Sequence, residues 1–130
     1  MKQSETLKKN EDFREIYRTG KSYANKYLIM YVKKNDMSMN RLGISVSKKV
    51  GNSVVRHRIT RLIKESYRIS EDSFLIGLDI IVVARVVAKG KNYSEIESAL
   101  LHLMKLHKIG KEASNIWTDR EKDSCRGIEW

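Results

Sequence analysis

Across residues 10–18, Phe13, Ile16 and Tyr17 fall at i, i+3 and i+4, the spacing that puts side chains on one face of an α-helix. Asn10 is placed to cap this helix, Glu11 and Asp12 suit the positive end of its dipole, and Gly20 stops it. The pattern then changes to a period of two. Residues 22–32, SYANKYLIMYV, read as two short strands or one bent strand, with Leu28, Met30 and Val32 on one face and Tyr27, Ile29 and Tyr31 on the other. Residues 33–40 read as a turn. In the next strand Leu42, Ile44 and Val46 alternate with Gly43, Ser45 and Ser47, so one of its faces carries only small residues and makes a shallow floor. Residues 80–83 form a short continuous apolar run that suits a buried strand.

Two further helices follow from the pattern. On a wheel of about 100° per residue, Val55, Ile59, Leu62, Ile63 and Ser66 gather on one side of residues 54–68. Arg56, His57, Arg58, Arg61, Lys64 and Arg68 occupy the rest of that wheel, with Thr60 and Glu65 among them. The turn Gly51-Asn52-Ser53 opens this helix. Residues 94–108 give the last one, with Ile96, Ala99, Leu100, Leu103 and Met104 on one side, Ser94 as cap and Glu97 completing a capping box. After residue 109 periodicity disappears. The expected organisation is a single domain over residues 1–109 and a weakly ordered tail, 110–130, carrying Trp117, Cys125 and Trp130.

Composition narrows the function. A chain of 130 residues that is 41% apolar can build one packed core. Its formal net charge of +10 points to a polyanionic partner, nucleic acid or an acidic membrane surface. One cysteine makes no internal disulfide and suits a reducing cytosol. The apolar run at residues 80–84 is too short to span a bilayer, and the polar start MKQSETLKKNEDF lacks the apolar stretch of a signal peptide. A secreted disulfide scaffold and a membrane protein are thereby excluded, and a cytoplasmic location is expected.

The charge is also unevenly spread. Residues 41–68 contribute +7 of the net +10 and contain one acid, Glu65. Arg56, Arg58 and Arg61 have no carboxylate neighbour along the helix, which a merely solvated helix would offer. Arginine grips phosphate through two parallel hydrogen bonds, whereas Lys48, Lys49 and Lys64 act as point charges. A small-residue turn at a helix start presents free N–H groups to the same ligand, although Asn52 and Ser53 serve equally well as a plain cap.

The stretch SVSKKVGNSVVRHRITRLIKESYR, residues 45–68, resembles the signature region of the bacterial ribonuclease P protein subunit. The opening LKKNEDFREIYRTGKSYAN, residues 7–25, is similar to that family's first helix and turn, and the likeness runs over about residues 7–107. His57 stands where the family usually has Asn, Thr60 where it usually has Lys, and Val86 where a Pro is common.

The resemblance implies an α+β fold. This is a two-layer sandwich of a small, mainly antiparallel sheet of about four strands with helices packed on it, and a left-handed βαβ crossover through the basic helix. It further implies that a large RNA subunit, with Mg²⁺ held mainly by that RNA, cleaves the 5′ leader from precursor tRNA. The chain itself would then contribute no catalytic residue and hold no metal. The RNA subunit would be bound by Lys48, Lys49, Asn52, Ser53, Arg56, His57, Arg58, Arg61, Lys64 and Arg68. The single-stranded leader would lie in a cleft formed by Phe13, Tyr17, Tyr31, Ser45 and Ser47, its bases stacking on the rings. Without the resemblance, Phe13 and Tyr17 read as core residues at helical spacing.

The absence of a self-contained active site fits this picture. His57, His102 and His107 are far apart in sequence, and no carboxylate pair sits in a two-metal motif. Two rivals remain: another RNA-binding module, such as a translation-associated protein, and a stand-alone nuclease. A DNA-binding helix-turn-helix is disfavoured because no second helix precedes residue 54 at a short turn. Whether the free protein forms oligomers is not legible in the sequence.

Overall fold

The chain runs through β1 (Ser4–Thr6), α1 (Asn10–Thr19), β2 (Lys21–Ala24), β3 (Leu28–Lys34), β4 (Asn40–Ser45), α2 (Ser53–Ser70), β5 (Leu78–Ala84) and α3 (Tyr93–His107). The computed structural model describes residues 4–110. The expected weak order of the tail, together with Trp117, Cys125 and Trp130, lies outside the described residues.

The apolar run at residues 80–83 becomes the middle of a five-stranded sheet ordered β1-β4-β5-β3-β2. Strand β5 is parallel to β4, with Ile80 beside Leu42, and antiparallel to β3, with Ile80 beside Val32. Because α2 and α3 cover one of its faces and α1 with Leu7 the other, both faces are apolar, which explains the lack of alternation. The remaining pairings are β1 with β4, parallel, and β2 with β3, antiparallel.

The α+β class is the expected one, with two differences. The sheet has five strands rather than about four, and parallel pairings are as many as antiparallel ones. Both differences arise largely from β1, a polar Ser-Glu-Thr triplet. It is held by pairing with residues 40–42, by the Leu7 N–H to Leu42 carbonyl bond (2.8 Å), and by Ser4 Oγ meeting the Tyr67 hydroxyl at 2.7 Å.

The strand alternation separates two apolar clusters. Leu28, Met30, Val32, Leu42, Ile80 and Val82 face α2 and α3, where they pack with Ile59, Ile63, Tyr67, Ile96, Leu100 and Leu103. Each such buried aliphatic side chain contributes ~1.5–3 kcal/mol, so α2 is firmly anchored along one side. On the opposite face Ile81 packs with Leu7 and Ile16, bordered by Phe13, Tyr31 and Val83. That smaller cluster seats α1.

Several boundaries shift from the sequence expectation: β3 runs to Lys34 and β4 starts at Asn40, inside the expected turn, α2 spans Ser53–Ser70 and β5 spans Leu78–Ala84. The residue preceding α1 is Lys9, which makes no side-chain cap bond, and Asn10 is already helical. The capping box of α3 is Asn92 with Glu95 rather than Ser94 with Glu97: Asn92 Oδ1 accepts from Glu95 N at 2.9 Å and Glu95 Oε1 accepts from Asn92 N at 3.3 Å. The sequence offers both boxes in overlapping register, and the earlier one leaves Glu97 to accept from the Tyr93 hydroxyl at 2.8 Å. Finally, β4 ends at Ser45, so Val46 and Ser47 already belong to the loop before α2.

Candidate nucleic-acid interface

Helix α1 and strand β4 enclose a shallow groove of about 500 Å³ lined by Asn10, Phe13, Arg14, Tyr17, Ile44 and Ser45. Gly43 makes its geometry possible. A β-carbon there would lie 2.6 Å from Phe13 Cζ and 2.8 Å from its Cε1, so the bare backbone is what lets the ring lie on the strand. From Phe13 a series of rings leads outward. Tyr17 follows at 6.3 Å between centroids, tilted by 46°, and Tyr31 on β3 meets Tyr17 edge-on at 4.8 Å and 82°.

Tyr17 is 39% exposed while Phe13 and Tyr31 are half-buried, so the rings are partly core and partly available to a ligand. Burial raises the Tyr17 hydroxyl above its ordinary 10, against the lowering effect of a hydrogen bond with Ser45. It is therefore a neutral donor and acceptor at physiological pH.

Four of the five expected cleft residues thus come together: Phe13, Tyr17, Tyr31 and Ser45. Ser47 does not join them; it is exposed in the loop past the strand end, where its carbonyl accepts from Val50 N at 3.1 Å. Asn10 and Arg14 were missed as lining residues. Their signal was in the helical spacing, since positions 10, 14 and 17 repeat at i, i+4 and i+7. Asn10 had been assigned to a cap it does not make.

Three residues beyond Ser45 the loop carries Lys48 and Lys49, both exposed. Asn52 then caps α2 through its side chain, which accepts from Val55 N at 3.0 Å. The cap function therefore claims its amide oxygen. Ser53, Val54, His57, Arg58 and Arg61 line an open hollow of about 560 Å³ on the outer side of the helix, with Val54 76% exposed.

Among the described residues no ion pair involves Arg58, Arg61, Lys64, Lys48 or Lys49, and all five are exposed. Two arginines of α2 are less available. Arg68 pairs with Glu65 one turn earlier. Arg56 is half-buried, does not line the hollow, and has a buried Nε without a hydrogen-bond partner among the described residues.

Arg41, which contributes to the charge excess of residues 41–68, is not available either. Its Nε and Nη2 donate to the two carboxylate oxygens of Asp79 at 2.8 and 2.6 Å, and its Nη1 to Asp12 at 3.2 Å. Its partners come from α1 and β5, outside that stretch of sequence, so counting charges along the chain could not pair it.

His107 is structural. His107 meets the Met30 carbonyl through Nε2 at 2.7 Å and Tyr23 edge-on at 4.8 Å, and burial pushes it down to about 4. Among the described residues no three His, Cys, Asp or Glu side chains are grouped to hold a metal ion, and no helix is long and apolar enough to cross a membrane.

Comparison with known proteins agrees with this arrangement. The model of the ribonuclease P family matches residues 1–108. The ribonuclease P protein component of Lachnoclostridium phytofermentans is 68% identical over 106 residues, covering 82% of this chain and 91% of the relative. That of Alkaliphilus metalliredigens is 52% identical over 109 residues, covering 84% and 98%. The structure of the Staphylococcus aureus RNase P protein superposes with a TM-score of 0.76 at 40% identity, covering 82% of this chain and 97% of that one. The Thermotoga maritima protein gives 0.71 at 31% identity, covering 76% and 94%. With an aromatic groove beside α1, a basic outer face on α2 and near full-length relatives of one kind, the chain belongs to the ribonuclease P protein family.

Proposed function

We propose that this chain is the protein subunit of ribonuclease P, acting in the cytoplasm to bind the catalytic RNA subunit and the 5′ leader of precursor tRNA. It thereby promotes endonucleolytic removal of the leader and formation of the mature tRNA 5′ end. The observation that carries this reading is the outer face of α2, where Arg58, Arg61 and Lys64 project without carboxylate partners among the described residues. On a well-anchored helix only side-chain freedom is lost when these arginines meet phosphate, and their charge is not spent on the protein itself.

The groove supplies the second half. Unpaired bases stack on exposed rings with ~1–3 kcal/mol per base and little sequence preference, which suits a leader of variable sequence meeting Tyr17 and its neighbours. Asn10, Arg14 and Ser45 offer polar and charged contacts to the sugar-phosphate backbone. Hydrolysis belongs to the RNA subunit with Mg²⁺ held mainly by the RNA; this chain positions, neutralises and orders the substrates.

Reconstitution tests this directly. Purified protein alone should leave precursor tRNA intact, and adding the RNA subunit with Mg²⁺ at near-physiological salt should yield 5′-matured tRNA faster than the RNA alone. Cleavage by the protein alone, or no stimulation of the RNA, would contradict the proposal.

A further inference from the structure

The sheet register brings a second basic and aromatic cluster to the same end of the molecule as the groove. Ser45 at the end of β4 lies beside Val83, and Leu28 at the start of β3 lies beside Ala84. Immediately beyond this end are Lys26 and Tyr27 before β3, and Arg85 after β5. Arg85 holds the turn in place, its backbone N–H donating to the Tyr27 carbonyl at 2.9 Å and its Nη1 to the Asn25 carbonyl at 2.8 Å.

Two ammonium groups converge on one ring here. Lys26 Nζ is 5.7 Å and Lys91 Nζ 5.5 Å from the centroid of Tyr27. Neither lysine takes part in an ion pair among the described residues. Two like charges over one ring gain cation–π attraction but repel each other, an arrangement relieved by an anion beside them. One carboxylate, Glu95, lines the same groove, where it accepts from Asn92 N at 3.3 Å and from the Tyr27 hydroxyl at 3.4 Å without an ion pair to either lysine among the described residues.

Behind the lysines a groove of about 400 Å³ runs along α3, lined by Ser94, Ser98 and His102 together with Asn25 and Tyr27. Asn25 has a fixed orientation. Its Nδ2 donates to the Ala99 carbonyl at 2.8 Å, and its Oδ1 accepts from Tyr27 N at 3.2 Å and Leu28 N at 3.0 Å. The same Nδ2 lies 3.2 Å from His102 Nδ1, which must therefore accept, leaving the ring proton on Nε2. Burial, and then the charge of Lys105, hold His102 below its ordinary 6.5, in keeping with this neutral tautomer. The groove thus gathers an imidazole N–H, two hydroxyls, the Lys26 ammonium and the Glu95 carboxylate beside the Tyr27 ring, with the Lys91 ammonium over that ring outside the lining.

The start of α3 also packs beside the C-terminal end of α2, where the Tyr93 hydroxyl lies within reach of Ser66 and near Glu65 and Arg68. We infer that Lys26, Tyr27 and Lys91, with Ser94, Ser98 and His102 behind them, form a third RNA contact that takes a phosphodiester segment of a folded RNA. The inference rests on the ribonuclease P reading and names a contact outside both α2 and the α1 groove. Two RNAs of that assembly carry the same chemistry, the RNA subunit and the body of the tRNA.

The test compares wild-type protein with Lys26→Ala/Lys91→Ala and with Lys26→Gln/Lys91→Gln, which keeps the apolar stems. Affinity is measured as a function of salt, for the RNA subunit binding free protein and for mature, leaderless tRNA binding the reconstituted holoenzyme. Each lost phosphate contact makes the plot of log affinity against log salt shallower by ~0.7–0.9, so both double variants should lose about 1.5 in slope with one of the two RNAs. A loss with the RNA subunit assigns the contact to it, and a loss with the holoenzyme–tRNA pair assigns it to the tRNA body. Slopes equal to wild type with both RNAs, in variants that still stimulate cleavage, would overturn this inference alone. A wild-type protein that does not stimulate the RNA would instead remove the reading on which it rests.

Discussion

Tyr17 and Tyr31 meet edge-to-face at 4.8 Å, one ring from α1 and the other from β3. The contact fixes the outer wall of the groove at a point where helix and sheet would otherwise part. In the proposed leader contact the role of Tyr31, half-buried and outside the groove lining, is to hold Tyr17.

Tyr31→Ala should therefore weaken holoenzyme binding of precursor tRNA by about 1–3 kcal/mol while leaving mature tRNA nearly unaffected. Paired affinity measurements with the two substrates check this. Equal losses for both would show that the groove does not take the leader.

Gly43→Ala forces the new methyl into the Phe13 ring, which stands 2.6 Å from the position of that carbon. Crowding of this kind costs about 1–3 kcal/mol. Thermal unfolding should show the loss, and adding Phe13→Leu should recover part of it, since the shorter side chain vacates the space. Two losses that simply add would mean the positions do not compete.

The Arg41–Asp79 pair is the main internal charge contact. Asp79 has a side chain only 6% exposed and also accepts from Asn35 Nδ2 at 2.8 Å. Burial alone would raise its carboxyl, but the hydrogen bonds from Arg41 and Asn35 outweigh this and hold it below its ordinary 3.8. Asp79→Ala leaves the guanidinium with Asp12 alone and should destabilise the fold by about 3 kcal/mol, measurable by urea denaturation. The pair's contribution is full above pH 3.8 and disappears as pH falls through the lowered folded value.

His107 gives a different acid dependence. Its folded value of about 4 lies below the ordinary 6.5, so between those two values the unfolded chain binds the extra proton. Stability should consequently fall as pH is lowered from 6.5 towards 4. His107→Gln keeps an N–H for the Met30 carbonyl but does not titrate, and should flatten this part of the stability–pH curve. An unchanged curve would show that His107 does not cause it.

The strong periodicities were legible along the chain. The two faces of α2 could be read because a single helix places Ile59 and Ile63 on one side and Arg58 and Arg61 on the other, with no knowledge of its neighbours. The aromatic cleft was reached through family likeness, since the spacing of Phe13 and Tyr17 equally describes a core face, and in the structure these rings are partly both. What stayed hidden depends on distant partners. Strand β1 is three polar residues that become a strand only beside β4. Arg41 is neutralised by residues 29 positions before it and 38 after it. The Lys26–Tyr27–Lys91 cluster exists only because the β3–β5 register brings a turn and a helix start together.

The central claim is that the outer face of α2 grips the RNA subunit through unpaired arginines. Arg58 and Arg61 are cleaner probes than Arg56, whose buried Nε makes its removal partly a packing change. The decisive measurement is the salt dependence of RNA-subunit affinity for Arg58→Ala/Arg61→Ala against wild type. Weaker binding and a slope shallower by about 1.4–1.8 are expected, with an unchanged thermal midpoint. Affinity and slope equal to wild type would contradict it.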